Sequence, residues 1–154
     1  MDKGRAVSKP KAVIFDIDGT TFHRDKGPGG RDPYDMTRVG EDLPNLPVLQ
    51  IARLICDGGS MGDVTVIFVS GRDESARKAT AAALELYYGP EFYLYMREEN
   101  DMRPDETIKF LLLQHLQEKW DIIATFDDRN RVVDMWRANG ITCFQVCSRE
   151  EGGF

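Results

Sequence analysis

Long apolar runs are missing from this sequence. No stretch reaches the roughly 20 residues that a membrane-crossing helix needs, and the opening MDKGRAVSKPK has no apolar core of the signal-peptide kind. Cysteine is scarce. Cys56, Cys143 and Cys147 are odd in number and form no CxxC pair, which points away from a disulfide framework or a thiolate metal site and toward a reducing, cytoplasmic setting. The two histidines, His23 and His115, show no ligand spacing. An excess of positive charge is also absent: 20 Lys and Arg face 26 Asp and Glu, for a net charge of −6. Such a balance argues against gripping nucleic acid over many phosphates, yet leaves room for a small site that holds one terminal phosphate. The glycine-rich GPGG has no lysine after it in P-loop order, so no ATP site is expected.

What is present reads as one globular domain. At 154 residues, 42% hydrophobic and 30% charged, the chain can bury a full core. Short β-rich runs at 12–17, 64–70, 92–96, 122–126 and 141–146 alternate with helical patterns, which predicts an α/β, doubly wound, five-stranded parallel sheet. Residues 1–11 form a basic tail or linker ahead of a domain over 12–150, and the turn-rich stretch at about 19–46 is long enough for a flap. In such folds ligands bind beyond the carboxyl ends of the strands. Asp16, Asp18, Ser70, Asp127 and Asp128 all fall there.

Several carboxylates in one crevice repel each other unless a cation joins them. An all-oxygen donor set suits Mg²⁺, which characteristically pairs one or two carboxylates with substrate phosphate. Asp16 and Asp18 are two apart, so on an extended segment both point to one side. One could attack phosphorus while the other handles the leaving-group proton. Ser70, Gly71 and Arg72 close the second strand at an expected helix N-terminus, where backbone N–H groups favour an anion. Lys109 would offset the developing phosphoryl charge. Each feature has a plainer rival: a DG turn, a helix cap at Asp127-Asp128, a solvated charge at Lys109, an exposed loop at Arg31. The stripe Trp120, Met135 and Trp136 reads as packing.

Taken together, Asp16-x-Asp18-Gly19-Thr20, Ser70, Lys109 and Asp127-Asp128 resemble the haloacid dehalogenase (HAD) phosphatase superfamily. The spacers KPKAVIFDIDGT, RDPYD, VSGR and FDDRNRVVDMWRANGI are similar to the 3′-phosphatase domain of bacteriophage-type polynucleotide kinase/phosphatase. The resemblance implies Asp16 as nucleophile, Asp18 as general acid and then base, and Mg²⁺ on Asp16, Asp18 through its backbone carbonyl, and Asp127, with Asp128 beside them. It also implies Ser70, Gly71 and Lys109 on the phosphoryl oxygens, and Arg31, Arg72 and Arg129 on the substrate side. Thr21 replaces an aliphatic residue, and the loop from Thr20 to Arg31 is longer and richer in glycine.

The expected function is therefore Mg²⁺-dependent hydrolysis of 3′-phosphate, or 2′,3′-cyclic phosphate, at DNA or RNA ends. A HAD phosphatase of nucleotides or another small phosphomonoester is the alternative, and a noncatalytic phosphate-binding module the third reading. Because the chain carries no kinase P-loop, it is expected to be either a free-standing phosphatase or the C-terminal piece of a larger protein. A kinase domain and a second copy of the chain are the candidate protein partners.

Overall fold

Val13, Ile14 and Phe15 are each 3% exposed or less, which requires a strand covered on both faces. That strand is β1 (Lys11–Asp16), at the centre of the sheet in a computed structural model that describes residues 7–58 and 62–154. The remaining elements are β2 (Phe22–His23), β3 (Leu43–Pro44), α1 (Leu46–Cys56), β4 (Val64–Asp73), α2 (Arg77–Tyr87), β5 (Tyr93–Arg97), α3 (Asp105–Lys119), β6 (Asp121–Asp127), α4 (Asn130–Ala138) and β7 (Cys143–Gln145). The main sheet has the order β5-β4-β1-β6-β7, and every pairing in it is parallel. The expected five-stranded doubly wound fold is what forms.

Alternation along β1 divides the core. Val13 and Phe15 pack with Val48, Leu49 and Ala52 of α1 and Leu84 of α2. Ala12 and Ile14 pack with Leu113 and Leu116 of α3 and Val132, Val133 and Trp136 of α4. Strand order therefore reverses at β1, and its carboxyl end lies at the switch point where this architecture leaves a crevice. Phe15 also stacks on Phe126 at 4.4 Å, and Phe126 on Phe144 at 5.0 Å, tying β1, β6 and β7 together beneath that crevice. Burial of the Phe15 ring, which is 0% exposed, contributes on the order of 2 kcal/mol.

Three expectations are corrected. β4 does not give way to a helix after Ser70; it continues to Asp73, a 3-10 turn follows at Glu74–Ala76, and α2 starts only at Arg77. The cause is lateral: the Arg72 side chain is drawn inward to Asp18 and Asp42, while Asp73 caps the turn by accepting from Ser75 N. Ser70 and Gly71 therefore do not sit at a helix N-terminus. Ile108, Leu111, Leu112 and Leu116 suggest one apolar face for α3, but the inward residues are Ile108, Lys109, Leu113 and Leu116, and Leu111 is exposed, because the helix is turned so that Lys109 enters the site. The fifth strand is shorter than expected, Cys143–Gln145.

The 19–46 segment is organised rather than open. β2 and β3 pair as an antiparallel ribbon, and a 3-10 helix at Met36–Glu41 drops Val39 onto Ala76 and Met96. Of the expected basic tail, residues 1–6 lie outside the described residues; Lys11 opens β1, and Lys9 donates to Gln117 O at 2.5 Å. The sequence offers Gly58-Gly59 as the stop of α1, and of that pair Gly59 also lies outside the described residues. Among the described residues no helix is long and apolar enough to cross a membrane.

Candidate active site

At the end of β1 the chain turns back sharply. The amides of Thr20, Thr21 and Phe22 converge on Ile17 O at 3.3, 3.0 and 3.0 Å, and Gly19 adopts φ 84°. Glycine is required there twice over: a Cβ would be strained at that φ and would stand 2.0 Å from Asp128 Oδ2. The turn leaves Asp16 3% exposed, its Oδ2 accepting from Thr20 Oγ1 at 3.0 Å. Thr21 suits its place, since its buried hydroxyl donates to Asp16 O at 3.0 Å.

Lys109 links the strand ends. Its Nζ lies 2.6 Å from Asp16 Oδ1, 2.9 Å from Asp127 Oδ2 and 3.3 Å from Asp105 Oδ2. Asp127 Oδ2 also accepts from Trp136 Nε1 at 3.2 Å, and its Oδ1 accepts from the amides of Asp128 and Arg129. Carboxylate oxygens of Asp16, Asp127 and Asp128 lie within 4.8 Å of one another, and all three residues are buried.

One ammonium cannot balance this group. Burial, then the neighbouring Asp127 charge, pushes the Asp16 carboxyl well above its usual range, and the same two causes push Asp128 up to about 6. Burial works against the Lys109 charge, but Asp105, Asp127 and Asp16 together win and hold it protonated. Asp105, which burial alone would raise, is held low by Lys109. Three converging oxygen donors short of positive charge fit a hard divalent cation of the Mg²⁺ type.

Asp18 belongs to a different cluster. Its side chain is 45% exposed and lies with two arginines, apart from the Asp16, Asp127 and Asp128 carboxylates. Arg72 binds it twice, Nε to Oδ2 at 2.9 Å and Nη2 to Oδ1 at 2.8 Å, and Arg31 Nη2 reaches Oδ1 at 3.2 Å. Both guanidiniums are buried, and Asp42 joins them, 2.7 Å from Arg31 Nε and 2.5 Å from Arg72 Nη2. Arg72 Nη1 donates to Thr80 Oγ1, and Arg31 Nη1 to the carbonyls of Asp32 and Pro33. Every nitrogen of the two guanidiniums is thus engaged within the protein.

Ser70 is fully buried, its Oγ accepting from Arg72 N at 3.1 Å. Gly71 allows Asp105 to approach, since a Cβ would lie 2.2 Å from Asp105 Oδ1. Arg129 is half-buried, with its guanidinium 4.8 Å from the ring of Phe154. The structure therefore gathers Asp16, Lys109, Asp127 and Asp128 into one centre and sets Asp18, Arg31 and Arg72 beside it. Sequence reasoning missed Asp42, Asp105 and the polar role of Trp136, and placed Thr20 in the turn motif without its hydrogen bond to Asp16. Of the three, only Asp105 carried a signal, four residues ahead of Lys109 on one helix face.

Comparisons with known proteins agree with this fold. A family model described as the polynucleotide kinase PNKP phosphatase domain matches residues 10–153. The putative bifunctional polynucleotide kinase/RNA ligase of Autographa californica nuclear polyhedrosis virus is 34% identical over 142 residues, 90% of this chain and 20% of the viral protein. The phosphoglycolate phosphatase of Rhodospirillum rubrum is 32% identical over 88 residues, 53% of this chain and 36% of that enzyme. A chain in the structure of the Pnkp1/Rnl/Hen1 RNA repair complex superposes with TM-score 0.80 at 39% identity, over 92% of this chain and 44% of that one. The chain thus spans less than half the length of each of these relatives. With the family model covering nearly its whole length and the carboxylate centre in place, the chain belongs to the HAD-type PNKP phosphatase domain family.

Proposed function

We propose that this domain is a Mg²⁺-dependent phosphatase that removes the 3′-phosphate from RNA or DNA ends through an aspartyl-phosphate on Asp16. The observation that carries the reading is the buried Asp16 carboxylate, held between Lys109 Nζ and Thr20 Oγ1 beside two further aspartates at the mouth of the sheet.

Asp16, Asp127 and Asp128 would hold the cation, which when bound neutralises phosphoryl charge and lets Asp16 approach an anionic substrate. Asp16 attacks phosphorus as the ester bond breaks, and Asp18 delivers a proton to the departing 3′-oxygen. Asp18 then takes a proton from the water that cleaves the acyl-phosphate, returning both carboxyls to their starting states. Lys109 keeps Asp16 aligned and sets a fixed positive charge where phosphoryl charge develops. Arg31 and Arg72, with no nitrogen free, act chiefly by orienting Asp18, and Asp42 holds both of them. Arg129, half-buried and next to Asp128, would contact the substrate end.

The nucleic-acid end as substrate is supported by the relatives, a putative bifunctional polynucleotide kinase/RNA ligase and a chain of an RNA repair complex. They also favour kinase and ligase modules as partners. The phosphoglycolate phosphatase relative favours a second reading, hydrolysis of a small phosphomonoester.

The test is phosphate release from 3′-phosphorylated RNA and DNA oligonucleotides, beside 5′-phosphorylated isomers, a nucleoside 3′-monophosphate and phosphoglycolate. Each is run with Mg²⁺, with EDTA and with Asp16→Asn. Metal-dependent release from 3′-ends that is lost in the variant supports the proposal. Turnover confined to the small esters overturns the polynucleotide reading, and no turnover of any substrate overturns the enzyme.

A further inference from the structure

Arg129, whose amide donates to Asp127 Oδ1 at 3.3 Å, holds its guanidinium 4.8 Å from the ring of Phe154, which is 59% exposed. A single exposed aromatic is ordinary on a protein surface. The segment leading to it, residues 145–152, is held against the loop of Asp128 and Asn130. Gly152 O accepts from Asn130 N at 2.8 Å, and Asn130 Nδ2 donates to Arg149 O at 2.7 Å. Gln145 Nε2 and Cys147 Sγ both reach Asp128 O, at 2.9 and 3.2 Å. A Cβ on Gly152 would lie 2.4 Å from Asp128 O, so the segment lies tight against its partner. The loop it grips, residues 127–130, is the one that supplies two carboxylates and Arg129, whose amide donates to Asp127 Oδ1.

We propose that Phe154, with Arg129, forms a stacking platform for the nucleobase of the 3′-terminal nucleotide whose phosphate enters the Asp16 centre. The inference rests on the polynucleotide reading above and adds a subsite to it. An acidic protein of net charge −6 gains little from long-range attraction to a phosphate backbone. Base stacking needs no such attraction and tolerates any sequence, because every base presents a π-face. A guanidinium beside the ring adds a second planar surface to the same subsite. The tryptophans cannot take this role, being 3% and 1% exposed at positions 120 and 136.

The test compares kcat/KM on two 3′-phosphorylated oligonucleotides that differ only in the terminal sugar, one bearing a base and one abasic. Wild type, Phe154→Ala and Phe154→Trp are measured. A stack contributes about 1–3 kcal/mol, so wild type should prefer the base-bearing end by about 5- to 150-fold. Phe154→Ala should lose most of that preference through KM, and Phe154→Trp should keep it. A wild type that shows no preference, or a Phe154→Ala protein that retains it, overturns the platform while leaving the phosphatase reading standing. A wild type that releases no phosphate from either oligonucleotide overturns the polynucleotide reading and the platform with it. Equal loss on both ends in Phe154→Ala assigns the segment a purely structural role and rejects the subsite.

Discussion

Asp42 and Arg72, 30 residues apart in sequence, meet in a buried ion pair of 2.5 Å. Through it the flap is fastened to β4, and the arginine that Asp42 holds is the one that binds Asp18 twice. Asp18, the general acid of the proposed mechanism, is thus positioned through Asp42, which lies outside the Asp16, Asp127 and Asp128 cluster.

Asp42→Ala should leave two buried guanidiniums facing each other and destabilise the protein by about 3–5 kcal/mol. Asp42→Asn keeps the shape and part of the hydrogen bonding, so it should fall between the variant and wild type. Urea unfolding followed by circular dichroism measures the loss. Phosphate release by the folded Asp42→Asn fraction should fall in kcat more than in KM, since it is proton delivery that suffers.

Lys109→Met removes the one cation bonded to both Asp16 and Asp127. Activity should drop by at least about 100-fold. The metal-free variant should melt well below metal-free wild type, and added Mg²⁺ should raise its Tm by more than it raises that of wild type, since an ion bound only to the native state stabilises it. Differential scanning fluorimetry with EDTA or Mg²⁺ reads both effects.

Gly19→Ala places a methyl where Asp128 Oδ2 now stands and strains a residue at φ 84°. The backbone contributes about 1–2 kcal/mol of that cost, and displacement of Asp128 adds to it. The Mg²⁺ midpoint for activity should rise by more than about 10-fold while turnover at saturating metal is better preserved. A metal titration of the purified variant checks this.

Trp136 Nε1 donates to Asp127 Oδ2 at 3.2 Å, whereas Trp120 lies at the other end of the sheet, between α3 and β6. Mg²⁺ binding should therefore change the intrinsic fluorescence of wild type and of Trp120→Phe. Trp136→Phe should lose that response and bind the metal more weakly, because a hydrogen bond to a charged group contributes about 1.5–3 kcal/mol.

The sequence was most readable where local pattern and chemistry coincide. β1 ends in Asp16 and β6 in Asp127 because an apolar run must stop where a charged side chain is needed, and that boundary is visible in one dimension. Lys109 was visible as a lone cation on a helix face. Asp42 was not, since GEDLP reads as any acidic loop and its importance arises only when residues 31 and 72 arrive from elsewhere. The extension of β4 through Asp73 was hidden for the same reason: local propensity favoured an early helix, and the inward pull on Arg72 decides otherwise.

Lys109 is 93 residues from Asp16 and 18 from Asp127, and Arg72 is 54 from Asp18. The complete centre does not exist until β1, β4, β6 and α3 are all assembled. Chain closure over such separations is slow relative to local structure, so the reacting centre is among the last features to form and among the first to report an incomplete sheet. Metal affinity is then a measure of global folding as much as of local chemistry. A substitution deep between β1 and α4, far from any carboxylate, should weaken metal binding in proportion to the population of sheets it opens.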